Sequence, residues 1–300
     1  LYNADQGETF YLKRFPMETE EKRDIKNPTT YEEQIEILKS RNLIIENEDR
    51  AVSILQRVNY YRLSAYTLTY KNNNGIYEKV SIENVYNLYK FDKNLRNLIL
   101  PMLEDIEIAF RTHISYLIAH KYGALGYKNS KNFRNSKYHE SMLKTLNDEI
   151  ERSDEIFVTH HKNKYNGVFP VWVIIEVATF GDLSKMYSNL LDVDKDEIAK
   201  KYYNAKCEYV SSWLYALSNL RNKCAHFSRL YNKKLTITPR LFRADKKRGI
   251  KNNTIFADIY VIGRLTKEKK EWGNFVTKLS ALIDQYYVVD LKYLGFPDDW

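Results

Sequence analysis

"SNLRNKCAHFSRLYN", residues 218–232, combines two patterns in one stretch. Extended back to about residue 207 and placed on a helix at about 100° per residue, it yields two stripes. Val210, Trp213, Leu217, Leu220, Cys224, Phe227 and Tyr231 step by three or four and make an apolar stripe, so the spacing predicts a core-packed helix over about 207–232. Asn219, Asn222, His226, Arg229 and Lys233 step the same way nearly opposite, and Arg221 falls between the two sets. A helix that only filled a core would not need this polar set.

The 300-residue chain is long enough for one large domain with a sizeable core. Gly and Pro are scarce, and Leu, Ile, Lys, Glu and Asn run through long unbroken stretches, which predicts an all-α, mainly helical chain. The net charge of +8 points to an anionic partner, with RNA or DNA first. Cys207 and Cys224 have no metal-ligand spacing and form no disulfide framework, so they read as reduced thiols of a cytoplasmic protein. No apolar run approaches the roughly 20 residues of a membrane helix, which predicts no membrane partner. No signal peptide is visible.

Outward from the quoted stretch, the chain divides into four parts. Residues 1–30 read as irregular; Met17 is a candidate native start, which would make 1–16 an appended leader. Residues 31–81 form an N-terminal helical part, opened by "YEEQIEILKSRN" behind a Thr29 or Thr30 cap and continued by a helix over "NEDRAVSILQRVNYYRLSAYTLTY". Residues 82–232 form the helical core. There, 82–122 make one or two long helices with a joint at Pro101, Gly123 and Gly126 close that block, and Pro170 opens a helix over "VWVIIEVATF" up to Gly181. The stretch "HHKNKYNGVFP" reads as a loop. Residues 233–300 are a basic C-terminal extension in which "TIFADIYVIGRLT" fits a strand or a helix and a last helix covers about 267–287.

Arg221 and His226 form Arg-x-x-x-x-His, a pattern that recurs as Arg134–His139 in a polar stretch with no apolar stripe beside it. On an ideal helix Arg221 and His226 lie about 140° apart, so one copy closes poorly on a small substrate. Two-fold pairing would bring Arg and His together from two copies. An imidazole can take or give a proton near neutral pH, and a guanidinium fits phosphate oxygens. Arg221, Asn222 and His226 are therefore the candidate catalytic set, with Asn222 placed to orient the His226 ring. Glu107 and Arg111 can pair at i,i+4, as a brace of the bundle or as support for the motif, and Glu176 is a possible partner of Arg221. Arg229, Lys233, Arg240, Arg243, Lys246, Lys247 and Arg248 are candidate RNA-backbone contacts, with Tyr231 and Phe242 interleaved for base stacking. No residues are spaced as metal ligands, His160–His161 included, and no cofactor is expected.

"RNKCAH" resembles the Arg-Asn/Asp/His-x-x-x-His motif of HEPN domains. "NYYRLSAY" (59–66), "LYKFDKNLRNLIL" (88–100), "IEIAFRTHISY" (106–116), "PVWVIIEVATFGDLS" (170–184) and "SWLYALSNLRNKCAHFSRLYN" (212–232), in that order, resemble the Abi-like abortive-infection proteins of the AbiD/AbiF type over about residues 30–235. The resemblance implies a HEPN-like helical bundle with added N-terminal helices. It implies a toxin-like endoribonuclease of bacterial anti-phage defence, working as a homodimer on RNA and restrained by a small regulatory RNA. A non-catalytic HEPN module that binds RNA or a partner is the alternative. A related toxin group carries a Tyr two residues after the motif His; Ser228 stands there, so nucleotidyl modification at that position is not expected.

Overall fold

The structure, a computed structural model, describes residue 25 and residues 27–72 and 74–300; the expectations for an irregular leader and for Met17 lie outside the described residues. The fold is all-α, with helices α1 (Tyr31–Lys39), α2 (Glu48–Arg57), α3 (Tyr60–Ser64), α4 (Ile82–Tyr122), α5 (Ser136–Arg152), α6 (Ile156–Lys164), α7 (Val171–Ile174), α8 (Phe180–Asn189), α9 (Asp192–Tyr203), α10 (Cys207–Ala225), α11 (Arg243–Lys247), α12 (Ile255–Leu265) and α13 (Lys269–Gln285). Among the described residues no helix is long and apolar enough to cross a membrane.

Helix α4 is the axis of the molecule. The Ser81 hydroxyl accepts from Asn84 N–H at 3.2 Å to start it, and Gly123, at φ 83°, ends it. Val85, Leu88, Phe91, Leu95, Ile99, Leu103, Ile106, Phe110 and Ile114 recur at three- and four-residue steps and are buried. Helices α7, α8, α9, α10, α12 and α13 all pack on it. Pro101 makes no joint: α4 runs through it as a single helix of 41 residues. Pro101 is exposed, so the ring is accommodated on the solvent side while the buried face continues on both sides of it.

Thr30 caps α1 as expected, in a capping box with Glu33. Other expectations change. The long N-terminal helix is interrupted after Arg57, where Val58 turns extended and Asn59 caps α3 by accepting from Tyr61 N–H at 2.8 Å. Pro170 is the N-cap of α7 rather than its first residue, and the helix expected up to Gly181 splits. A 3-10 turn spans Ile175–Val177, Ala178 is extended, and Thr179 starts α8 by a capping box with Asp182. His160–Lys164, expected in a loop, extend α6. "TIFADIYVIGRLT" is helix α12, capped by Thr254, and its buried Ile255, Ile259 and Ile262 face α4 and α10.

Candidate functional site

Helix α10 keeps the expected apolar stripe as far as Cys224 and then stops at Ala225, seven residues short of the expected end. His226 is the C-cap. Phe227 takes φ 57°, its N–H donates to Cys224 O at 3.2 Å, and Ser228 N–H donates to Lys223 O at 2.8 Å. These two bonds make a Schellman stop, in which the left-handed position normally belongs to Gly. Phe227 is therefore exposed rather than part of the core stripe, and Arg229 and Lys233 leave the polar stripe because they are no longer helical.

Side chains from α3 and α4 hold the released chain. Arg62 donates to Phe227 O at 2.7 Å and Arg96 donates to Ser228 O at 3.1 Å. The Asp92 carboxylate accepts from the N–H groups of Leu230 (3.1 Å) and Tyr231 (2.7 Å), from the Tyr66 hydroxyl (2.7 Å) and from Arg96 (2.5 Å). Asp92 and Arg96 are buried. Burial pushes the Asp92 carboxyl upward, against Arg96 and the other donors. Burial beside Asp92 likewise pushes the Tyr66 hydroxyl up, so it stays a donor. Nothing in the sequence spacing had marked Arg62, Tyr66, Asp92 or Arg96. Apart from the Tyr66–Asp92 and Asp92–Arg96 side-chain pairs, their partners are backbone groups more than 100 residues away.

About 22 Å further along α4 lies a second brace. Glu107 accepts from Arg111 at 2.6 Å and stands 3.8 Å from Arg221 Nε. Arg111 also donates to the carbonyls of Ile175 (2.6 Å) and Glu176 (2.8 Å). Glu107 thus takes the place expected for Glu176, whose side chain is exposed and which joins the site through its backbone oxygen. Arg221 Nη1 reaches Asn222 Oδ1 at 3.5 Å. Asn222 and His226 are exposed, and among the described residues no hydrogen bond joins the His226 ring, so Asn222 does not orient it in this arrangement.

Arg134 and His139 do not repeat this geometry. Arg134 pairs with Asp192 at 3.3 Å, whereas His139 is buried against Phe133 with Nε2 2.8 Å from Tyr127 O.

The basic segment is tethered by its one acid. Asp245, buried, accepts from Phe242 N–H at 3.1 Å, the Tyr260 hydroxyl at 2.7 Å and Arg264 at 3.0 Å. Around that anchor Lys233, Arg240, Arg243, Lys246, Lys247 and Arg248 are exposed, while Arg229 is half-buried and donates to Tyr231 O at 2.9 Å. The stacking role expected for Tyr231 and Phe242 does not hold. Tyr231 is buried, and Phe242 is packed between Tyr209, Trp213 and Arg264.

A family model described as Abi-like protein matches residues 53–232. Both braces and all of Arg221, Asn222 and His226 lie inside that span, and the basic segment lies beyond it. No curated protein and no solved structure matches the chain. The match covers more than half of the sequence, and the chain belongs to the Abi-like protein family.

Proposed function

We propose that this Abi-like protein is a HEPN-type, metal-independent endoribonuclease that acts as a toxin in abortive infection and is restrained by a small RNA. The observation that carries this is the contrast around one helix end. Arg221 is braced from below by Glu107 and Arg111, while Asn222 and His226 remain exposed with the His226 ring unengaged.

The chemistry needs no imported nucleophile. The RNA 2′-oxygen attacks the adjacent phosphorus, its proton passes to an imidazole, and the P–O5′ bond breaks as the 5′-oxygen takes a proton from an acid. Charge builds on the non-bridging oxygens in between, where a guanidinium fork is the suited donor. One copy offers one His226. In a two-fold dimer the second His226 supplies the other proton function, and the two Arg221 side chains face the phosphate from both sides. The exposed cations from Lys233 to Arg248 would hold the flanking backbone.

The products test this reading. Cleavage should leave a 2′,3′-cyclic phosphate and a 5′-hydroxyl, read by mass spectrometry of a short labelled RNA. A 5′-phosphate product would mean an activated water attacked instead. Binding without cleavage would favour a non-catalytic RNA-holding module.

A further inference from the structure

A cleft of ≈ 900 Å³ lies at and beyond the end of the matched span, between residues 232–234, 248–254 and 292–299. Its frame is stitched by the backbone. Asn232 N–H donates to Tyr293 O at 3.1 Å, Leu235 N–H to Asn253 O at 2.9 Å and Phe256 N–H to Leu294 O at 3.0 Å. Gly295 has φ 82°, and a Cβ there would overlap the Thr254 side chain, so two walls meet at a distance only glycine allows.

Lys233, Lys234, Arg248, Lys251 and Lys292 line the cleft, against the carboxylates of Asp298 and Asp299. Lys292 pairs with Asp290. Among the described residues, no ion pair engages the other four cations. With Lys292 neutralised by Asp290, four cations and two carboxylates leave an excess of two positive charges in one concavity. A single phosphodiester carries one negative charge and cannot balance it, whereas a chain of two or three phosphates on one nucleoside can. The volume falls within the roughly 300–1,000 Å³ of small-ligand sites. Tyr293, with the Lys292 ammonium 4.9 Å from its ring centre, and Phe296 add an apolar wall for a base or sugar.

We propose that this cleft binds a nucleoside polyphosphate, either a free nucleotide or the 5′-triphosphate end of an RNA. Because Asn232 follows the Asp92-clamped Leu230–Tyr231 segment, a ligand there would tie the chain leaving His226 to the C-terminal segment. The proposal stands apart from cleavage at His226 and does not need it.

The test is isothermal titration of the full chain, in low salt, with each of the four ribonucleoside triphosphates, with inorganic tripolyphosphate and with adenosine. Short RNAs ending in 5′-triphosphate or 5′-hydroxyl form the remaining arms. At least one triphosphate should bind at one per chain and adenosine should not. The exposed pair Lys234→Glu/Lys251→Glu should weaken binding by about tenfold or more with an unchanged melting temperature, while Lys269→Glu/Lys270→Glu, exposed at the start of α13 and outside the cleft, should leave it within about twofold. Tighter binding of 5′-triphosphate than of 5′-hydroxyl RNA, lost in the Lys234/Lys251 variant, would identify the RNA end as the source. Equal binding of the two RNAs alongside nucleotide binding would identify the free nucleotide. Absence of binding by every phosphate ligand, nucleotide binding unaffected by Lys234→Glu/Lys251→Glu, or loss of 5′-hydroxyl RNA binding alone in that variant would overturn the proposal.

Discussion

Phe227 carries an unusual backbone for its type. A bulky side chain at φ 57° is sterically costly, and this one is exposed, so burial does not offset the cost. The Schellman bonds and the Arg62 contact hold it there. Phe227→Gly should therefore change stability by no more than about 1 kcal/mol in urea unfolding, because the relief of strain offsets the greater freedom of the unfolded glycine. A loss of several kcal/mol would mean that the ring packs in solution. His113 makes a different case. It stacks on Tyr202 at 3.6 Å between centroids, and burial, then Lys267 and Lys201, push its pKa down to about 4. The unfolded imidazole takes up a proton near 6.5 and the folded one only near 4, so the unfolded state binds more protons between these values. Stability should fall as pH drops from about 6.5 towards 4, and His113→Phe should flatten that slope in a pH series of denaturation curves. An unchanged slope would assign the acid sensitivity to other groups.

At the scale of elements, α4 does two jobs whose sequence signals differ in clarity. Its helical character over 82–122 was legible, as was the stripe of α10 through Cys224. The end of α10 was not, because the left-handed position holds Phe rather than Gly or Asn and no Pro follows. The continuity of α4 through Pro101 was hidden for a related reason: a local breaker signal lost to packing along the whole buried face. Of the candidate site, Arg221, Asn222 and His226 could be picked out by residue type and spacing, and Glu107–Arg111 by i,i+4 pairing. The Asp92 clamp could not, since its partners are main-chain N–H groups of a segment that spacing alone made helical. Asp92→Asn keeps the volume but leaves Arg96 without its charge partner inside the protein. The expected loss is about 3–5 kcal/mol in chemical denaturation. A loss below about 1 kcal/mol would show that the clamp is replaceable.

Across the whole molecule, the exposed cations and the candidate catalytic set lie on different segments of the chain. The exposed cations of residues 233–251 sit on a segment held by Asp245, beyond the family match, whereas Arg221, Asn222 and His226 sit at the C-terminal end of α10. For the proposed ribonuclease, that arrangement would feed RNA along a broad electrostatic surface to the candidate catalytic set. The proposed cleavage requires the exposed His226 to take part in proton transfer, and this is the point on which the account depends. The most direct measurement is cleavage of end-labelled, mixed-sequence RNA by the purified protein in EDTA, beside His226→Ala protein of equal melting temperature. The account predicts cleavage by the first and a loss of about 100-fold or more in the second. Equal cleavage by both proteins, or cleavage that appears only when divalent metal is restored, would contradict it.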